Sequence, residues 1–492
     1  ELKKDKIMTT SRLYASKKFM GALLLMMGFV LPANAQFLRT SYFMEGTHYR
    51  MQLNPALAPT SGYFNIPAIG SLNVSASSNS LGTQDIIDII DNSDGFYNNQ
   101  KFMNRLSNDN RLNVNVNTDI LSFGWYKGKN FWSVNVGARV DLGAQIPKSM
   151  FSFLHDIDQD GFSWNNSKFD IGKEELNINA YTEVGIGYAR AINDRLSVGG
   201  KFKVLLGMGN LNLKVDGMNV DANLPLNIND ITDVNQIRDY HAKMKVNARL
   251  ESSFKGMDLV ENTSDPDPRK HYIDDFDFNG FGIAGYGGAI DLGASYKILD
   301  NLTVSASVLD LGFIKWSKGS TSVATAKGSM DYDGKDYALT PEGLEDFQRD
   351  AQDFMNRVEG GDVLNYEMLQ LQKEDVVESR TTSLHSTVVI GAEYELLDKW
   401  LAIGALSTTR FTKPKTQTEI TLSANIRPKS WLNAAISYSM IQSAGKSFGL
   451  AVKLGPLFIG TDYMFFGKST KTVNGFVGIS VPLGGKKSSK EG

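Results

Sequence analysis

Cysteine is absent from this 492-residue chain. That excludes disulfides, thiolate metal sites, thiol nucleophiles and a lipid on an amino-terminal cysteine, so stability must come from packing and hydrogen bonds. Net charge is nearly absent as well: 51 Lys and Arg against 54 Asp and Glu leave a formal −3. A chain without a basic surplus has no electrostatic footprint for nucleic acid, which is not an expected partner. Histidine is scarce, with five scattered residues lacking metal-ligand spacing, and no phosphate-binding glycine loop occurs. No cofactor is expected. Catalysis has little support, because His385 beside Ser383 and Ser386 is too common a grouping to mark an out-facing Ser–His pair. Beyond residue 36 no apolar run approaches the roughly 20 residues a membrane-spanning helix needs.

What is present begins with a secretory pattern. Arg12, Lys17 and Lys18 precede FMGALLLMMGFVL, and Pro32-Ala33-Asn34-Ala35 supplies small residues before a cut after Ala35. The apolar run of 13 residues is too short for an anchor. Residues 1–35 therefore read as a signal peptide with an upstream extension, and the mature chain as exported to the outer membrane.

The remainder alternates. In FWSVNVGARVDL (131–142), Trp132, Val134, Val136, Ala138, Val140 and Leu142 share one face of a strand, opposite Ser133, Asn135, Arg139 and Asp141. GGAIDLGASYKI, EITLSANIR, WLNAAISYSM, LNINAYTEVGIGY and LHSTVVIGAEYEL repeat the pattern. Such strands suit an all-β transmembrane antiparallel barrel with lipid outside and a polar lumen. Short polar turns at 127–130, 192–195, 299–301, 397–399, 427–430 and 455–456 alternate with long connections at 79–111, 145–175, 214–280 and 317–382. With short turns periplasmic and long loops extracellular, threading gives strands near 69–78, 112–126, 131–144, 176–191, 196–213, 281–298, 302–316, 383–396, 400–411, 416–426, 431–442, 447–454, 457–466 and 472–482. That is about 14 strands within residues 69–485, an even count as closure requires; one miscounted hairpin changes it to 12 or 16. HAKMKVNARLESSF (241–254) then belongs to an extracellular extension, and 486–492 to a polar tail.

Trp125, Tyr126, Trp132, Tyr188, Tyr296, Tyr394, Trp400 and Trp431 cluster at the short turns, as an interfacial girdle against outer-membrane lipid does. The polar face places Arg139, Asp141, Glu183, Lys201, Lys203, Asp291, Lys297, Glu393, Lys453 and Asp462 toward the lumen, where opposite charges satisfy one another. We read them as a structural network rather than an ion-selective lining.

Residues 36–68 hold several prolines and aromatics without clean alternation, and read as a hatch folded into the lumen. Within them, Asn54-Pro55-Ala56 can form a rigid corner, Asn54 by a side-chain turn and Pro55 by its fixed backbone. Here the chain resembles the long-chain fatty-acid transporter family, whose mature amino terminus carries an Asn-Pro-Ala motif in a hatch that plugs a 14-stranded barrel. Over its whole length it resembles uncharacterised outer-membrane proteins of the Bacteroidetes type. The resemblance implies a plugged barrel that moves a hydrophobic or amphipathic small molecule. The other reading is a non-transporting scaffold whose loops bind a surface or secreted protein.

Two loops bear on that choice. Asp156, Asp158 and Asp160 before Gly161 form the first half of a calcium loop, but Ser167 stands where a bidentate Glu belongs, so an acidic turn is favoured over a low-affinity metal site. A helix opened by Thr340-Pro341 and stopped by Gly360-Gly361 aligns Leu344, Phe347, Ala351, Phe354, Met355 and Val358, a face for the barrel rim, for neighbouring loops or for a partner. DIIDII (85–90) admits the same readings, and the acidic stretch 264–280 reads as a solvated loop.

Overall fold

The computed structural model describes residues 39–485 apart from 45–46, 67–70, 83, 86–95, 265–267, 269–270, 327–328, 359–365, 398–399, 430, 442–444 and 464–469. The expected signal segment, the polar tail and most of DIIDII lie outside the described residues. A closed antiparallel barrel of 14 strands forms the body. Its strands are β1 (Ser71–Ser78), β2 (Asp109–Lys127), β3 (Asn130–Pro147), β4 (Glu174–Ala191), β5 (Leu196–Asn223), β6 (Gly285–Leu299) and β7 (Leu302–Trp316). The second half comprises β8 (Thr387–Leu396), β9 (Leu401–Arg410), β10 (Gln417–Lys429), β11 (Leu432–Ile441), β12 (Gly445–Leu454), β13 (Leu457–Thr461) and β14 (Thr472–Gly485). Neighbours in sequence are neighbours in the wall, and β14 closes on β1 through Leu72–Val477 and the pairs around it.

Turn chemistry explains the short-turn end. Gly128 and Gly455 take positive φ values of 63° and 58°, which a tight hairpin requires and a side chain resists. At the 192–195 turn, the Asn193 side chain accepts from the backbone N–H groups of Arg195 and Leu196 at 2.9 and 2.7 Å. Outward residues form an exposed apolar belt, with Ile186, Phe202, Ile390 and Ile436 each more than half accessible. Only a lipid surround makes that arrangement favourable.

Three features differ from the sequence reading. First, the wall begins before residue 69: Ser61–Asn65 pairs with both β14 and β2, so the hatch ends near residue 60. Five residues beside several prolines were too short a run for alternation to register. Second, β5 continues to Asn223, so part of the 214–280 connection is strand. Its upper half pairs with His241–Phe254, from Gly209–Phe254 to Asn223–His241. Third, Thr321–Ala326, Ser329–Asp333 and Leu371–Lys373, within the 317–382 connection, add further strands to this extracellular extension.

Two helices, α1 (Lys148–Ile157) and α2 (Pro341–Val358), pack on the extension. Phe102, Phe151, Phe153, Trp164, Phe347 and Phe354 share one apolar core with Met244, Val246 and Leu250 of the sheet. Phe354 meets Trp164 edge to face, with centroids 5.2 Å apart. The apolar face of α2 is therefore covered by the chain's own cap. In the acidic stretch, Ile273–Phe278 pairs with Met257–Glu261 as a separate two-stranded ladder.

Truncating Phe354, which is fully buried, should cost about 3–5 kcal/mol of cap stability. Phe354→Ala should speed tryptic cleavage of the extracellular loops while the heat-modifiable mobility of the barrel stays unchanged; equal cleavage rates would mean that the cap does not depend on this contact.

Candidate functional site: the plugged lumen

The lumen-facing positions of β3 to β7 converge on Glu183. Its carboxylate accepts from Arg139 at 3.1 and 3.3 Å, from Lys201 at 3.2 Å and from the Asn135 amide at 2.9 Å. Lys203 lies 3.9 Å from Glu183 and binds Asp291 at 2.8 Å and Asp310 at 2.6 Å. Glu183, Lys203 and Asp291 are buried, so each charge is tolerable only because others are hydrogen-bonded to it. Asp310 escaped the sequence reading. It sits at an irregularity of β7 with φ 57°, and its backbone N–H donates to Asp291 at 2.8 Å, so parity does not reveal it.

The other anticipated charges fall in separate places. Asp141 accepts from Arg410 at 2.7 Å, with His385 3.7 Å away, and Glu393 accepts from Arg427 at 2.8 Å. Lys297 lies near the short-turn end of β6 and is exposed. Lys453 is half-buried on β12. Asp462 belongs to the hatch contacts. Arg410, Arg427 and Glu419 were missed although each lies on the polar parity of its strand.

Residues 39–44 and 47–60 occupy the interior, most of them buried. The backbone N–H groups of Arg39 and Thr40 donate to Asp462 at 3.2 and 2.8 Å, and the Thr40 hydroxyl donates to it at 2.6 Å. The Arg39 guanidinium reaches Glu419 at 2.9 Å and bonds the Tyr463 hydroxyl. Lower down, the Tyr42 hydroxyl pairs with Ser305, Ser307 donates to the Leu53 carbonyl, and Gln52 donates to Asp119 at 2.8 Å. At the short-turn end, His48 stacks on Tyr63 with centroids 4.2 Å apart.

The Asn54-Pro55-Ala56 corner is formed as its residue types suggest. The Asn54 side-chain oxygen accepts from the Ala56 N–H at 2.9 Å, and its amide donates to the Ala294 and Ala306 carbonyls of β6 and β7 at 3.1 and 3.2 Å. The corner seats in a notch made by Gly199 and Gly293, which pair across β5 and β6. A Cβ at Gly293 would overlap the Asn54 amide oxygen, and one at Gly199 the Pro55 carbonyl. Gly391 and Gly404 are occupied in the same way by the Tyr42 and Phe43 rings. Two residues beyond the charge network toward the cap, an apolar cluster follows on the β4 to β7 side of the wall: Tyr181, Leu205, Ala289, Ile314, Trp316 and Leu384 pack together.

One sequence reading is corrected. Trp125, Trp132, Tyr296, Tyr394, Trp400 and Trp431 are exposed on the outer surface, and Tyr188 packs edge to face with Trp132. Tyr126, however, follows the inward parity after Trp125: its hydroxyl donates to the Pro59 carbonyl at 2.5 Å and its ring packs on Phe131. Asp156, Asp158 and Asp160, expected to make an acidic turn in preference to a metal site, do not converge. Asp156 is in helix α1, Asp158 accepts from Asn98 at 2.5 Å, and no three acidic or histidine groups converge among the described residues. In the extension, the Lys335 backbone N–H and the Lys243 ammonium hold the Asp333 carboxyl below its ordinary range.

The fold and its contents define a plugged, capped outer-membrane-type β-barrel. Residues 55–462 match a family of unknown function, DUF5723, and the chain belongs to it. Comparison with curated proteins finds no match. Among solved structures, the chain is similar to the Pseudomonas putida toluene transporter TodX, at 10% identity and a TM-score of 0.38, over 89% of this chain and 94% of that one. The Ralstonia pickettii toluene transporter TbuX gives 8% identity and a TM-score of 0.40, over 89% and 94%. The translocator domain of the autotransporter NalP from Neisseria meningitidis gives 10% and 0.28, over 86% and 89%.

The notch makes a prediction. Gly293→Val should expel the Asn54 corner and raise single-channel conductance in planar bilayers, as deletion of residues 36–60 should. Conductance unchanged by both would mean that these residues do not obstruct the pore.

Proposed function

We propose that this protein is a gated outer-membrane transporter for a hydrophobic or amphipathic small molecule, with the hatch as its gate and without catalytic activity. One observation carries the reading. Among its described residues, 39–44 and 47–60, the hatch joins no sheet: side-chain hydrogen bonds, ion pairs, fitted glycine contacts and apolar packing hold it, so it can leave the lumen without breaking a strand pairing. The apolar cluster on the β4 to β7 side, between cap and charge network, favours an apolar cargo. The scaffold reading loses its main support because the apolar face of α2 is buried in the cap. The secretory pattern and the lipid-facing belt agree with a place in the cell outer membrane.

A crosslink tests the gate. The Thr40 and Ser437 hydroxyls are 2.8 Å apart, and the natural chain has no cysteine to compete. In cells carrying Thr40→Cys with Ser437→Cys, oxidation should stop uptake of N-phenyl-1-naphthylamine, and dithiothreitol should restore it. Undiminished uptake through the fully crosslinked protein would refute hatch gating.

A further inference from the structure

One connection at the extracellular end does not stand clear of the barrel. Residues 411–416 join β9 to β10, whose pairing stops at Arg410 and Gln417. This strap lies against the inward side of β3: a Cβ added at Gly143 would overlap the Lys413 carbonyl oxygen and crowd the Pro414 ring. β3 is six strands from β9 by the shorter way round the 14-strand wall, nearly opposite it. Arg410, at the base of the strap, makes the same crossing. Its guanidinium donates to Asn115 of β2 at 2.6 Å and to Asp141 of β3 at 2.7 Å, two residues that pair in register.

A segment that touches opposite walls must pass through the space between them. We propose that residues 411–416, latched by Arg410 on Asp141 and Asn115, form an outer gate that closes the lumen separately from the hatch. Its level is set by register: Asp141 pairs with Asn179, and Tyr181 of the apolar cluster lies one inward position below, opposite Arg139. A molecule entering from outside therefore meets the strap before the cluster. Thr387, the register partner of Arg410, stands at the first rung of β8 and yet is only 1% exposed, as a covered mouth requires. Among the described residues the strap joins no sheet. The Arg410 bonds, the seat on Gly143 and the Phe411 N–H to the Ser386 carbonyl at 2.9 Å hold it, so it can lift without unpairing the wall. With the hatch displaced, the strap still bars the pore, and the barrier survives transit. This deepens the transporter reading and rests on it for what passes; the closure itself is read without any cargo.

Because the chain has no cysteine, a single introduced thiol reports its own cover. A membrane-impermeant maleimide is added to intact cells carrying the full-length protein with Thr387→Cys, whose hydroxyl has no hydrogen bond to lose, or with Lys415→Cys on the exposed side of the strap. Thr387→Cys should react far more slowly than Lys415→Cys. Two releases are then combined with Thr387→Cys: Arg410→Ala with Asp141→Asn, which leaves no lone charge, and separately Gly143→Val, which evicts the Lys413 carbonyl. Each should raise the rate roughly tenfold, about what losing charge-assisted hydrogen bonds does to a local opening. Heat-modifiable mobility checks that the barrels are folded. Equal rates at Thr387→Cys and Lys415→Cys under the native strap would overturn the closure, as would a slow rate unaltered in whichever release forms fold. Uptake of N-phenyl-1-naphthylamine is followed separately: labelling that answers to the strap in cells without uptake would uphold the closure and remove only the transport reading.

Discussion

Every backbone N–H and C=O that crosses hydrocarbon must find its partner inside the protein, and the rest of this structure follows from that requirement. A sheet meets it only by closing, which β14 does on β1. Closure forces alternate side chains onto a lipid surface and a lumen. Outward positions carry Ile, Leu, Val and Phe; inward positions carry Asn, Ser, Thr and charge. The wall itself thereby creates a polar interior that has to be filled or solvated.

Filling that interior uses two means. Around Glu183, three basic side chains and the amide of Asn135 surround one carboxylate, so the cost of removing charge from water is offset by mutual attraction and hydrogen bonding. Elsewhere the hatch supplies the matching surface. Its fit depends on wall glycines as much as on polar partners: Gly199 and Gly293 clear space on adjacent strands, and the Asn54 amide uses that space to reach backbone carbonyls already belonging to the sheet.

Strand parity was legible because period-two alternation and turn chemistry are local properties. The Arg139 and Asp141 side chains could be assigned inward from their own twelve-residue stretch. Tyr126 was misplaced because proximity to a turn was weighted above parity, whereas its neighbour Trp125 had already taken the outward position. Asp310 was hidden by a local irregularity that breaks alternation, and Arg39 by a segment with no period at all. Pairings such as Arg39 with Glu419 or Arg410 with Asp141 join residues far apart in sequence, and no local pattern specifies them. The cap helix was legible from its 3.6-residue stripe, but its cover, with Trp164 from 145–175, His241–Phe254 from 214–280 and Ser329–Asp333 from 317–382, comes from three separate connections.

Cap and plug are held by different balances of force. The cap is a contiguous apolar core, in which rearrangement exposes surface to water and loses packing together. The plug combines hydrogen bonds and ion pairs with two small apolar clusters, Met44 and Tyr49 against Phe458 and Phe476, and Tyr42, Phe43 and Leu53 against Leu309, Val389 and Leu406, so moving it re-solvates polar partners and also exposes apolar surface. A barrel built this way can release its hatch without unpairing a strand, while the apolar clusters around Tyr42, Phe43, Met44 and Tyr49 hold the closed position. The Asn54 corner and the Arg39 anchor, at opposite ends of that segment, set how far it moves, because release of either one alone leaves the other still tied to the wall.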